Sequence, residues 1–171
     1  MASATKAFVR QPYVGSPEEM ESIFRLRQEV LGEPIERSRA IEEEFTSDAS
    51  TDRVVNAAAF DSEGNALAAG HISEDDRVGE WMLRYICVAE GHRGQGLGTE
   101  LVEYLAHAAL QRGAKIIEVK ARQGDPEATE NSDRQTGSVD FYRRLGFTAA
   151  TPSYFRHGIQ HLRMSKRLPG A

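Results

Sequence analysis

The sequence predicts an α/β fold in which helices cover a mixed sheet. Three observations lead there. Short apolar runs with strand character alternate with helix-spaced apolar patterns. The strongest strand and the clearest helix are joined by a glycine-rich turn. The 171 residues suffice for one buried core, and no linker, repeat or low-complexity tract divides them, so a single domain over 1–171 is expected.

Residues 7–14 read as a short strand, with Pro12 favouring an edge. Ser16-Pro17-Glu18-Glu19 starts a helix: an N-cap residue, proline at the first helical position and acids in the first turn. Met20, Ile23, Phe24, Arg27 and Leu31 form its stripe, and Gly32-Glu33-Pro34 ends it. Residues 36–45 fit a second, acidic helix. Residues 53–60 and 66–72 read as strands joined by a hairpin loop, Asp61-Ser62-Glu63-Gly64-Asn65. Residues 79–88 are the strongest strand. After the turn at 91–98, Leu97, Leu101, Val102, Leu105, Ala108 and Ala109 fall on one helical face, which Gly113 closes. Residues 115–121 form a strand, 122–134 a long loop, 137–145 a short helix stopped by Gly146, and 147–150 and 159–168 the last strands.

Composition narrows the function. Lys and Arg number 21 against 26 Asp and Glu, for a net charge of −5. That balance argues against nucleic-acid binding, which needs a basic field. The lone Cys87 excludes an intrachain disulfide framework and a cysteine metal cluster, and no metal is expected. No apolar run approaches the ~20 residues that span a bilayer, and residues 1–14 lack an apolar signal core, so a cytoplasmic protein is expected. The charge is uneven. Residues 1–90 carry 9 basic and 18 acidic side chains, and residues 91–171 carry 12 and 8. Unevenly spread surface charge explains such a split as readily as an anion site in the second half does.

The turn itself is Arg93-Gly94-Gln95-Gly96-Leu97-Gly98. A helix start leaves N–H groups unpaired at the positive end of the dipole. Glycines let an anion approach that backbone, so the turn suits a phosphate or pyrophosphate, and Arg93 adds a forked cation. It is not a dinucleotide fingerprint, because Thr99 stands where the third glycine belongs. It is not a Walker A loop, because Leu97 stands where lysine belongs.

Arg93-x-x-Gly96-x-Gly98 after the apolar Ile86-Cys87-Val88, followed in order by Phe141-Tyr142-Arg143-Arg144-Leu145-Gly146-Phe147, resembles the GNAT superfamily of acetyl-CoA-dependent N-acetyltransferases. The likeness covers residues 7–168 as architecture and 79–150 as motif. Gly158-Ile159-Gln160-His161 resembles the ending of a subgroup of small GNAT proteins, with Gln160 in place of a proline. The resemblance implies a mixed, mostly antiparallel sheet of about six to seven strands with helices on both faces. It implies acetyl-CoA as co-substrate, a small-molecule or peptide primary amine as acceptor, and a monomer or homodimer.

Carried over residue by residue, Ile86, Cys87 and Val88 would pair with the pantetheine arm as an added strand. Arg93, Gly94, Gln95, Gly96, Leu97, Gly98 and Thr99 would hold the pyrophosphate. Gln135 stands where an asparagine often contacts the cofactor, and Ser138 where alanine is usual. Tyr142 would give a proton to the leaving thiolate, and a backbone N–H near Val88 would polarise the carbonyl. The base stays open. Glu80 is the first candidate, since alternation puts it on one face with Met82, Arg84 and Ile86. Tyr85, His92, His157 and His161 are others, and a water chain is a further route. Trp81 packs the sheet or lines the acceptor cleft. Glu42-Glu43-Glu44 reads as a solvated face or as a border of the acceptor entrance, and Arg25 and Arg27 as surface cations or partners of an acidic acceptor group. With the acidic half framing the acceptor, a cationic amine is expected. The alternative function is a non-catalytic acyl-CoA-binding regulatory module.

Overall fold

A computed structural model describes residues 7–13, 16–47, 51–123, 137–150, 152–156 and 158–170. The chain runs β1 (Val9–Arg10), α1 (Pro17–Leu31), α2 (Ile35–Ser47), β2 (Val54–Phe60), β3 (Ala66–Glu74), β4 (Glu80–Val88), α3 (Leu97–Gln111), β5 (Ile116–Arg122), α4 (Val139–Arg144), β6 (Thr148–Ala149), β7 (Tyr154–Arg156) and β8 (Ile159–Arg167). The boundaries follow local chemistry. Pro17 opens α1, and Gly32 closes it at φ +71°, its N–H donating to the carbonyl of Gln28.

The strands form one sheet in the order β1-β2-β3-β4-β5-β8-β6, with β7 also on β8. Every pairing is antiparallel except β4 with β5. The eighth strand beyond the expected count is β7, three residues whose Tyr154 lies opposite His161. So short a strand carries no alternation to read.

Helices cover both faces. Val55 and Ala57 of β2 join Ile72, Trp81 and Leu83 against Leu101, Leu105 and Ala109 of α3. Ala58, the next residue along β2, turns the other way, with Ala69 and Cys87, against Ile23 and Leu26 of α1. Alternation in β2 thus serves two cores at once. Its alanines leave room for helices on either side.

One irregularity shapes the sheet. Ala69 pairs with Cys87, but His71 pairs with Arg84, so Tyr85 and Ile86 together face Gly70. Two residues against one is a β-bulge, and Tyr85 takes φ +57°, a left-handed conformation costing a non-glycine residue roughly 1–3 kcal/mol. Beyond the bulge the side chains change sides. Ile86 packs with the α3 core, and Cys87 faces α1. Gly70 makes this fit. A Cβ there would lie 2.6 Å from Ile86 Cδ1 and 2.9 Å from Leu105 Cδ1.

Gly70→Ala should therefore destabilise the fold by about 1–3 kcal/mol through overpacking. A urea unfolding curve checks this: the midpoint should fall and the slope stay constant.

Candidate active site

Strands β4 and β5 run parallel for four rungs, from Glu80–Ile116 to Leu83–Val119. Beyond the last rung they part. β5 continues on β8, while β4 passes through its bulge and stays on β3. The gap is a cleft of about 790 Å³. Ala89 donates to Leu67 across the β3 side at 2.8 Å, so antiparallel alternation turns the N–H and C=O of Val88 away from β3. They point to the side that β5 has left. Ile86, Cys87 and Val88 all line the cleft, Cys87 with its side chain under α1. This edge can take an extended ligand as an added strand.

The strand edge leads into the glycine turn. A 3-10 turn at Glu90–His92 precedes it, and Arg93 Nε donates to the Val88 carbonyl at 3.5 Å. Gly94 and Gly96 take φ +77° and +82°, and α3 begins at Leu97. Glu100 is the first helical N–H to find a carbonyl, that of Gly96 at 3.0 Å. The earlier N–H groups, at Leu97, Gly98 and Thr99, therefore stand at the positive end of the helix. Arg93, Gly94, Gly96, Leu97, Gly98 and Thr99 line the cleft, whereas Gln95 is exposed beside it. The Phe141 ring lies beside Gly98, 3.4 Å from where a Cβ would sit.

The opposite wall carries Tyr142 from α4. Phe141 and Phe147 meet its ring edge-on at 5.0 and 5.5 Å. Burial pushes its phenol well above the ordinary tyrosine range, so it stays protonated and able to donate. The Ser138 hydroxyl accepts the Arg122 N–H at 3.1 Å, and Ser138 N–H donates to the Arg122 carbonyl at 2.8 Å. These two bonds fasten the start of α4 to the end of β5.

A buried polar cluster underlies the bulge on the α1–α2 face. Arg27 is fully buried. Its Nη1 lies 3.5 Å from Glu42 Oε1, and its Nη2 donates to Asn56 Oδ1 at 3.3 Å. Asn56 Nδ2 donates to Glu42 Oε2 at 2.9 Å, and His71 Nδ1 lies 3.2 Å from Asn56 Oδ1. The Arg27 guanidinium also sits 4.7 Å from the Tyr85 ring centre. Burial pushes the Glu42 carboxyl up, but His71, Arg27 and Asn56 together hold it below its ordinary value. Burial pushes His71 down, so it is neutral at neutral pH. The ion pair here is Glu42 with Arg27. Sequence reading missed this cluster: it took Glu42 with its exposed neighbours Glu43 and Glu44, and Arg27 with exposed Arg25. Its members come from four separate elements.

The other candidates fall as follows. Tyr85, His92 and His161 line the cleft. Burial first, then the charge of Glu33, raises the Tyr85 phenol. Glu80 does not line the cleft. It lies at the closed end of β4, opposite Ile116, with Arg77 3.9 Å away. The bulge also breaks the expected alternation: Met82 and Arg84 keep to the α1–α2 face, while Ile86 turns to α3. Trp81 is sealed in the α3 core. Burial lifts the Cys87 thiol to about 12, which makes it inert. Gln135 and His157 lie outside the described residues. No described helix is long and apolar enough to cross a membrane.

Residues 20–147 match the model of the Acetyltransferase (GNAT) family. The chain belongs to the GNAT acetyltransferase family. It is an enzyme of the acetyltransferase class, with acetyl-CoA as co-substrate. YjcF, an N-acetyltransferase of Bacillus subtilis (strain 168), is 29% identical over 150 residues, covering 87% of this chain and 93% of that protein. An aminoglycoside 6'-N-acetyltransferase solved with coenzyme A superposes with TM-score 0.73 at 18% identity, over 96% of this chain and 99% of the other. The aminoglycoside 6'-N-acetyltransferase from Enterococcus faecium gives 0.74 at 18%, with the same coverage. At that identity the two structures speak for the fold.

The buried cluster should make the fold acid-sensitive. A carboxyl held low contributes stability above its unfolded value of about 4.3, lost as pH falls through the folded value. A neutral buried histidine adds destabilisation below about pH 6.5, where the unfolded chain takes the proton. Glu42→Gln should strand Arg27 and cost about 3–5 kcal/mol at pH 7. Replacing both, Arg27→Met with Glu42→Leu, should cost less than Glu42→Gln alone. Urea unfolding from pH 4 to 8 checks both points, and the double variant should keep only the His71 part of the acid loss.

Proposed function

We propose that this acetyltransferase moves the acetyl group of acetyl-CoA to a primary amine of a small acceptor by direct attack, with Tyr142 as the acid. The observation that carries the reading is the continuous path from the parted edge of β4 into the glycine turn, with Tyr142 in the facing wall. Acetyl-CoA supplies an activated thioester. The strand edge at Ile86 and Val88 suits its amide-bearing arm, and the turn with Arg93 suits its pyrophosphate. The Val88 N–H would polarise the acetyl carbonyl. As the C–N bond forms and the C–S bond breaks, the Tyr142 hydroxyl would give a proton to the departing sulfur and regain one from the nitrogen, and two aromatic edges hold its ring for that task. Glu80 sits too far along β4 to act as base, about 20 Å from Ile86 at ~3.3 Å per residue. Amine acceptors also suit the aminoglycoside enzymes that share the fold.

Tyr142→Phe should lower kcat by roughly 10²–10⁴ and leave CoA affinity intact. CoA thiol release over an amine panel, with CoA calorimetry on both proteins, checks this. Unchanged kcat removes Tyr142 from the chemistry. CoA binding without thiol release from any amine identifies a non-catalytic acyl-CoA-binding module instead.

A further inference from the structure

The charges around the cleft sort by side. Arg93 belongs to the phosphate turn. Glu33 is the one carboxylate among the described lining residues, and Arg37 Nε sits 3.2 Å from it. Three further cations line the cleft: Arg84, Lys120 and Arg122. Their placement follows from register. Leu83 with Val119 is the last rung between β4 and β5, so Arg84 and Lys120 are the first residues past the fork. Leu83 and Val119 are buried in the α3 core, so Arg84 and Lys120 both turn to the α1–α2 face, with Arg122 two residues on. Arg84 is braced rather than neutralised. Its Nη1 donates to the Ser73 hydroxyl at 2.9 Å, and no carboxylate among the described residues pairs with it.

Of the acids of the first half, Glu33 reaches the cleft and is met there by Arg37, and several others are taken up in ion pairs elsewhere. Glu19 pairs with Arg10, Glu21 with Arg39, Glu42 with Arg27 and Glu74 with Arg53. Counting charges along the chain favours a cationic acceptor; the fork favours the opposite. A second ammonium on the acceptor would meet Arg84 and Arg122 there.

Resting on the transferase reading above, we infer that the acceptor is a small amine that also carries a carboxylate, and that Arg84 reads that carboxylate. A guanidinium held by a hydroxyl presents its remaining donors in a fixed fork, which fits a carboxylate. Arg122 extends the same field. That field has a chemical use as well. Nearby positive charge disfavours an ammonium, so it brings more of the acceptor amine to its neutral, attacking form. The acceptor's proton then passes to solvent before attack, with no carboxylate base at the fork.

The test is a series of linear amines of two to five carbons. Each ω-amino acid is matched with the amine lacking its carboxylate and with the corresponding diamine. Thiol release from acetyl-CoA gives kcat/KM. In the best-used set the amino acid should exceed the plain amine by about tenfold or more, as one charge-assisted hydrogen bond allows, and the diamine should be poorest. Arg84→Gln should bring the amino-acid to amine ratio near one while calorimetric CoA affinity holds, and Arg84→Lys should restore part of the ratio. Should Arg84→Gln fold poorly, Arg122→Gln is read the same way and should lower the ratio. Preference for diamines, or an unchanged ratio with weakened CoA binding, overturns this inference and leaves the transferase standing. No thiol release with any amine overturns both.

Discussion

The structure turns on the fit between Gly70 and Ile86. A missing Cβ on β3 lets the Ile86 side chain enter the α3 core, and that entry requires one extra residue in β4. The extra residue is Tyr85, bent into a left-handed conformation. From there β4 can no longer run beside β5, because its pleat is out of step. The fork, the free backbone edge and the approach to the glycine turn all follow from that insertion. Bulges beside functional sites re-aim side chains, and this one re-aims a whole strand edge.

Such a bend needs support from beneath. Arg27 lies under the Tyr85 ring, Glu42 and Asn56 hold Arg27 in place, and His71 meets Asn56 and Glu42 from behind. The cluster ties α1 and α2 to β2 and β3 at the point of strain. A buried pair of this kind is a poor source of net stability. Its polar groups do specify one arrangement: an apolar substitute could pack there but could not hold a guanidinium against the Tyr85 ring. The same elements carry the acids of the first half, and ion pairs consume several of them before they can colour the cleft.

What was legible in the sequence was local. The turn from Arg93 to Thr99 states its chemistry in consecutive letters, and the helix faces of α1 and α3 repeat at regular spacing. Phe141 to Phe147 is contiguous too, so Tyr142 could be singled out. The buried cluster could not, since Arg27, Glu42, Asn56 and His71 meet only after folding. Glu42 looked like its exposed neighbours because a run of three acids carries no inward direction. Alternation gives Glu80 a face but not its distance from the cleft, and it breaks before Ile86 at a bulge that nothing in Arg84-Tyr85-Ile86 announces. Gly70 was the available hint: a glycine inside a strand marks a bulge or a close approach.

The parallel seam between β4 and β5 has a mechanical consequence. The sheet is two antiparallel halves, β1 to β4 and β5 to β8, joined by four rungs at one end. Antiparallel ladders resist shear along their whole length, whereas a short seam acts as a clasp. As in a calliper, any rotation of one half against the other at that clasp would be read as a change of width at the open end. The pair Leu83 and Val119 stands at the rivet, where the seam ends and the cleft begins.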